Sequence, residues 1–244
     1  MRRFLVEKDR ISGNRAFLKE DEARHIGKVL RLGVGDTIYL LDEEGSTYHA
    51  VITARDAKTV EVEIVEKITA LKEPSMEIVL GQAIPKAQKM DLIVQKATEL
   101  GVSSIIPFLS DRSVPLLDAE RSLRKQMRWQ KVAAEATKQC GRTIVPQVDA
   151  IIPFRGLLNR WDENSLKIML WEDEKNSTLK DLLKTHQPSA RVVILVGPEG
   201  GFSAQEVAMA REAGFHTVSL GKYILRTETA GMSLLSIVHY EWER

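Results

Sequence analysis

The chain has 244 residues, 43% of them hydrophobic and 28% charged, with a formal net charge of +1 at pH 7. This is the composition of an ordinary folded protein with ample core for one large domain or two small ones. It excludes a disordered chain and gives no global electrostatic case for nucleic acid. Residues 1–70 read as a small β-rich domain. Glu20–Arg31 is a predicted helix with Ala23, Ile26 and Leu30 on one face, and Asp36–Asp42 and Thr47–Ala54 are predicted strands around a turn at Glu43-Glu44-Gly45. Thr59–Ile64 alternates strictly, which points Val60, Val62 and Ile64 inward and Glu61 and Glu63 outward. Several short strands at close spacing suggest a small barrel. Ile68–Pro74 is the predicted linker, with Pro74 as punctuation.

After the linker the pattern changes. Glu77–Gln82 is an apolar strand, and Lys89–Leu100 is an amphipathic helix with Met90, Ile93, Val94 and Ala97 inward, stopped by Gly101. Ser104–Leu109 is a strand, and Asp118–Gln139 is a long helix with a basic outer face. Strands follow at Ile144–Val148, Leu166–Leu170, Val192–Val196 and Thr217–Leu220, with helices near Ser177–Leu183, Ser203–Ala213 and Thr229–Trp242. Alternation of strand and helix predicts a parallel α/β sheet covered on both faces.

One cysteine excludes an internal disulfide framework and a cysteine-based metal site, and suits a reducing cytoplasm. Cys140 itself reads as a packed small hydrophobe rather than a nucleophile. The start, Met1-Arg2-Arg3-Phe4-Leu5-Val6, runs straight into Glu7-Lys8-Asp9-Arg10 without a signal-peptide core, and no apolar run is long enough for a membrane span. The five histidines show no paired ligand spacing, so no metal is expected. Charge is uneven: residues 1–31 carry +4, residues 32–70 carry −5 and residues 112–142 carry +5. Local basic patches can bind RNA in a nearly neutral protein, although each segment alone reads more readily as a solvated face.

Two stretches stand out. Val192–Gly201, VVILVGPEGG, reads as a buried strand ending in a glycine-rich turn, and Ser203 with Glu206 has the spacing of a capping box that starts a helix. Backbone N–H groups at a helix start can dock a ligand's polar edge. No Lys-Ser/Thr follows the glycines and Glu199 would repel a phosphate, so a neutral or cationic ligand is expected. The second stretch, Leu220–Ala230, places Arg226, Glu228, Thr227 and Thr229 in a loop flanked by apolar residues, before Ala230 and Gly231. Two such loops in one domain suggest one pocket.

GPEGG-F-S followed by LG-x-x-I-L-R-T-E-T-A resembles the SPOUT methyltransferases, and within them the RsmE group of ribosomal RNA small-subunit (uracil-N3) methyltransferases. Met1-Arg2-Arg3-Phe4, His25 with Val29-Leu30-Arg31, Lys89-Met90-Asp91 with Gln95–Gly101, and Gln139-Cys140-Gly141-Arg142 fit the same pattern, which spans nearly the whole chain. The hairpin Asp42-Glu43-Glu44-Gly45 departs from the shorter glycine turn expected there. The resemblance implies an α/β fold: a SPOUT-type parallel sheet with a C-terminal trefoil knot over residues 75–244, and a PUA-like β-barrel RNA-binding domain over residues 1–70. A knot is not something a sequence pattern predicts unaided. The resemblance also implies a homodimer in the cytoplasm, S-adenosylmethionine (SAM) as methyl donor, and N3 of a uridine in the decoding region of 16S ribosomal RNA as acceptor.

Carried onto this chain, the SAM-loop positions are Leu170, Gly197, Glu199, Gly200, Leu220, Gly221, Ile224, Leu225, Arg226, Thr229 and Ala230. Uracil N3 must lose a proton, and the charge spreads over two flanking oxygens. An arginine fork beside them would stabilise it, which makes Arg226 and Arg142 the candidates. Glu199 is expected either to accept the proton or to fix the loop. The alternative for Arg226 is an ion pair with Glu228 or Glu199. RNA contacts are expected from Arg2, Arg3, Arg10, His25, Lys28 and Arg31 in the first domain and from Lys86, Lys89 and Arg142 near the rim. His25 reads equally as a core or capping histidine. Alternative activities are methylation of a ribose 2′-hydroxyl or a transfer-RNA base, a non-catalytic RNA-binding role, and, weakest, nucleotide hydrolysis.

Overall fold

The computed structural model describes residues 2–68, 76–113 and 118–242. All of the predicted linker except Ile68 lies outside the described residues, and Ile68 itself belongs to a strand. Contacts divide the chain into two units, Met1–Glu73 with Thr137–Val145, and Pro74–Ala136 with Pro146–Arg244.

The smaller unit holds β1 (Arg3–Leu5), β2 (Ile11–Ser12), β3 (Arg15–Lys19), α1 (Glu20–Arg24), β4 (Thr37–Leu41), β5 (Thr47–Arg55) and β6 (Thr59–Ile68). They form one six-stranded sheet in the order β1-β4-β5-β6-β3-β2. Its inward residues meet in a single cluster, with Phe4 from β1, Leu18 from β3, Ile38 and Leu40 from β4, Ile52 from β5 and Val60 and Val62 from β6 all buried. A sheet whose strands share one core in this way is curled, as expected of a barrel-like domain. The Asp42–Gly45 turn is built around a buried carboxylate. Asp42 accepts hydrogen bonds from the backbone N–H of Glu44 and Ser46 and from the Tyr48 hydroxyl, and Gly45 takes φ +81°.

The predicted helix over 20–31 is shorter than expected. It ends at Arg24 and passes into a π-turn over His25–Val29, closed by the Leu30 N–H donating to His25 O at 3.0 Å. The wider turn shifts the register of the apolar face: Ala23 and Ile26 stay buried, Leu30 is exposed, and Leu32 fills the core position instead. Gly27 sits against the Arg55 guanidinium, where a Cβ would lie 2.8 Å from Nη1. Cys140 is also not as expected: it is exposed, on the last turn of its helix.

The larger unit contains β7 (Glu77–Ala83), α2 (Lys89–Glu99), β8 (Ser104–Leu109), α3 (Ala119–Cys140, its end in the smaller unit), β9 (Gln147–Val148), β10 (Ile152–Pro153), α4 (Phe154–Leu158), β11 (Leu166–Leu170), α5 (Leu179–Thr185), β12 (Arg191–Val196), α6 (Ala204–Glu212), β13 (His216–Val218) and α7 (Thr227–Trp242). The sheet runs β10-β8-β7-β12-β11-β13 with every pairing parallel, and β9 also pairs with β8. The strand predicted over 144–148 shrinks to two residues, since Pro146 has no N–H to offer a ladder. Val192–Leu195 are fully buried, as a central parallel strand requires. Met90, Ile93, Val94 and Ala97 of α2 face inward as the periodicity predicts. Ser203 and Glu206 make the full capping box, and the same buried carboxylate also accepts from Asp111 N at 3.0 Å.

A buried acid ties three elements behind the sheet end. Glu174, after β11, accepts from the Thr217 hydroxyl of β13 at 2.6 Å, from Arg211 of α6 at 2.9 Å and from the Asn176 N–H at 2.9 Å. The Thr217 bond first, then the Asn176 and Arg211 bonds and the Arg211 charge, hold its carboxyl below the ordinary value against the opposing effect of burial. A depressed carboxyl stabilises the fold above its unfolded pKa and loses that contribution as pH falls through the folded value. Glu174→Gln should therefore lower the melting temperature most near neutral pH. The gap from wild type should close as pH falls below about 4.5; a gap constant down to pH 3 in thermal melts would contradict the assignment.

Candidate active site

Parallel pairing puts the carboxyl ends of β12, β11 and β13 side by side, and the loops that leave them meet in a cleft. Open α/β sheets bind ligands at this edge. The cleft has a volume of about 520 Å³, within the range of small-molecule sites. The loop after β13 is laced to the segment after β11: Trp171 N donates to Val218 O, Ser219 N to Ser177 O and Leu179 N to Ser219 O.

The glycine-rich turn closes with Gly201 N donating to Pro198 O at 2.9 Å, and Gly201 takes φ +67°. A Cβ on Gly201 would land on the Glu172 carboxylate, so the β11 and β12 loops approach as closely as a bare Cα permits. Phe202 turns inward under Gly197 and joins Phe108 and Phe154 in an aromatic cluster, with ring centroids 5.6–6.3 Å apart. Arg112 lies over the turn and donates to Gly200 O.

Of the residues predicted to hold a cofactor, all but Thr229 line this cleft. Thr229 is exposed on the first turn of α7. Leu170, Val196, Leu220 and Ala230 supply apolar wall, while Tyr223 and Ile224 stand at the mouth, 85% and 82% exposed.

Lys89 decides the electrostatics. Its ammonium lies 2.9 Å from Glu199 Oε1 and 3.4 Å from Glu228 Oε2, bridging the two loops. The hydrogen bond to Glu199 holds the Lys89 pKa above the ordinary lysine value, against burial. Burial pushes the Glu199 carboxyl up, but the Lys89 hydrogen bond, the N–H groups of Glu199 itself and of Lys86, and the Lys89 charge outweigh it and leave it below the ordinary value. Both acids weighed as partners for Arg226 are thus taken by Lys89. Arg226 is exposed in the cleft wall with no carboxylate in ion-pairing range among the described residues. Lys89, expected on an RNA-facing rim, pairs instead with two acids brought from 110 residues or more away, a pairing that carries no local signal.

Arg142 follows α3 in the segment that belongs to the smaller unit and is not among the cleft-lining residues. Arg2, Lys28, Arg31 and Lys86 are exposed. Arg10 is paired with Glu7 at 2.6 Å, the Arg3 guanidinium lies against Gly141, and His25 packs edge-on against Phe4. Among the described residues no helix is long and apolar enough to cross a membrane, and no group of three His, Cys, Asp or Glu could hold a metal ion.

Two family models match the chain, an RNA methyltransferase domain over residues 72–239 and an RNA methyltransferase PUA domain over residues 18–65. The fold is therefore that of an RNA methyltransferase with an attached PUA domain. Ribosomal RNA small subunit methyltransferase E of Bacillus subtilis is 31% identical over 100% of this chain and 98% of its own length, and its Aquifex aeolicus counterpart is 34% identical over 93% and 94%. The chain belongs to this family, RsmE, as its two cofactor-type loops implied. The crystal structure of the Neisseria gonorrhoeae member bound to S-adenosyl methionine is 36% identical, covers 99% of this chain and 98% of that one, and superposes with a TM-score of 0.92. A putative methyltransferase from Legionella pneumophila, in complex with SAM, is 30% identical over 98% and 96% with a TM-score of 0.89.

Proposed function

We propose that the protein transfers a methyl group from SAM to N3 of a uridine in 16S ribosomal RNA, in the decoding region of the small subunit. The observation that carries this reading is the cleft at the ends of β12, β11 and β13, walled by the two loops that place the chain in its family. Its residues suit SAM: apolar side chains to sandwich a purine, a glycine turn whose missing side chains let Phe202, Arg112 and Glu172 close in around it, and carboxylates rather than a phosphate cradle. When bound, SAM supplies a methyl group on a positively charged sulfur.

The chain's own residues then do the rest. Before N3 can take the methyl group its proton must pass to solvent water, and the negative charge left behind spreads to the two flanking oxygens of uracil until the N3–CH3 bond forms. Arg226 is assigned to those oxygens, because it borders the cleft and has no competing acid. Glu199 is assigned to holding the glycine turn on Lys89: a carboxyl kept ionised by an ammonium is a weak base. Methyl transfer in line behind the S–CH3 bond draws mainly on positioning and needs no metal. Arg2, Lys28 and Arg31 of the smaller unit and Lys86 are the residues best exposed for phosphate contact, which makes RNA binding salt-dependent. A paired target base would be flipped out.

The same reading extends to assembly. Tyr223, Ile224, Ile237 and Tyr240 are exposed apolar side chains on the β13–α7 loop and α7, a surface suited to a second copy of the chain. β13 lies at the sheet edge while α7 packs on α2, β7 and β12, so residues 219–226 cross over the neighbouring strand ends. That crossing is what a trefoil knot would require. A cytoplasmic enzyme working on assembled small subunits completes the proposal.

The test is methyl transfer from radiolabelled SAM to small ribosomal subunits lacking their native methyl groups, with naked RNA in parallel and the product nucleoside identified by mass. N3-methyluridine is expected. A ribose-methylated nucleoside would reassign the acceptor, and absence of SAM binding by calorimetry would remove the cofactor reading altogether.

A further inference from the structure

One polar side chain interrupts the apolar interior of β7. Ile78, Val79 and Leu80 are buried as a central strand requires, yet Gln82 is also 0% exposed. Register places it beside Val196, the residue before Gly197. Its Nε2 donates to Ala83 O and to the Thr227 hydroxyl, both at 2.9 Å. Thr227, itself buried at the start of α7, donates its hydroxyl proton to Gly197 O at 2.6 Å. The direction of this relay is settled by chemistry. Turning the Gln82 amide over would aim Oε1 at the Ala83 carbonyl, and Thr227 has one proton, already given to Gly197.

The relay joins the two loops that wall the cleft. Thr227 ends the loop after β13, and Gly197 opens the loop after β12. Because Pro198 follows Gly197, the peptide unit between them has no N–H, and its carbonyl is the one polar group through which it can be held. Fixing that carbonyl fixes the plane of the first peptide of the glycine turn.

Stability accounts for the amide nitrogen of this glutamine but not for its oxygen. Its Oε1 is buried without a hydrogen-bond partner. An unsatisfied buried acceptor carries a desolvation cost that an apolar residue of similar size would avoid. We propose that Gln82 and Thr227 form a positioning clamp that holds the two cofactor loops at the spacing SAM requires, at some expense in fold stability. This rests on the reading of the cleft as a SAM site.

The test compares SAM dissociation constants, by calorimetry, with melting temperatures of the full-length protein. Gln82→Met keeps the volume and removes the relay; Thr227→Val removes the hydroxyl isosterically; Thr227→Ser keeps it. Gln82→Met exchanges two donated hydrogen bonds for relief of one orphaned acceptor, so it should melt within a few degrees of wild type yet bind SAM about tenfold more weakly, the effect of roughly one lost hydrogen bond. Thr227→Val should weaken SAM binding to the same degree, and Thr227→Ser should stay within about threefold of wild type. If wild type binds SAM and all three variants bind as well as it does, the clamp is refuted while the site stands. Equal weakening in Thr227→Ser and Thr227→Val would also refute it, since packing and not the hydroxyl would then matter. Wild type failing to bind SAM would overturn the site reading and the clamp together. Should Gln82→Met not fold, the Thr227 pair decides.

Discussion

Arg226→Ala should lower kcat for RNA methylation by about 10²–10³-fold, the usual cost of removing one donor aimed at developing oxyanion charge. The magnitude follows from the position of Arg226. It is exposed in the cleft wall, and Lys89 has already drawn off Glu199 and Glu228, so the guanidinium is not spent on an internal ion pair. Arg226→Lys keeps the charge and loses the planar fork, so it should recover only part of the rate. The pH profile separates this role from a structural one. Without the arginine, ionisation of uracil must come from hydroxide, so the deficit should narrow as pH rises above neutral. Single-turnover rates at saturating SAM across pH make the measurement. A deficit that is flat with pH and disappears at high SAM would place Arg226 in cofactor binding instead.

Phe202→Ala should cost about 3–5 kcal/mol of stability, as expected for deleting a buried aromatic ring, which corresponds to a fall on the order of 10 °C in melting temperature. Phe202 is 3% exposed, stacks on Phe108 with centroids 6.3 Å apart and meets Phe154 at 5.8 Å. It is also the floor under Gly197. Removing the ring leaves a cavity directly beneath the first peptide of the glycine turn, so SAM affinity should fall with stability. Phe215→Ala supplies the comparison. Phe215 is buried to the same extent in the same cluster but follows α6 instead of the turn. It should lose similar stability and less SAM affinity. Equal losses of affinity in the two variants would show that the effect is global loosening.

Much of the molecule was legible because the governing interactions are short in sequence. The strand at 166–170 matches its prediction residue for residue, and 192–196 gains only Arg191, since an unbroken β-branched or aliphatic run leaves few other choices. The Ser203–Glu206 capping box is an interaction across three residues and appears as predicted. The helix over 20–31 shows where that logic ends. Its apolar spacing suits an α-helix to Leu30, but packing against β-strands of the smaller unit favours a π-turn and hands the core position to Leu32. The end of the long helix likewise follows periodicity to Cys140, while the contacts of residues 137–145 belong to the smaller unit.

The sequence by itself determined the central strands of the larger sheet, the Ser203–Glu206 cap and the two loops whose wording marks the family, because each depends on neighbours within one turn or one strand. Only the tertiary structure decided how charge and hydrogen bonds are shared out between those loops. Glu199 and Glu228 could each have paired with Arg226 a few residues or one loop away, and both pair with Lys89. Gln82 and Thr227 meet across 145 residues. Coulombic attraction and hydrogen bonding depend on distance in space and saturate once a partner is found, so sequence spacing cannot say which of several chemically suitable partners arrives first.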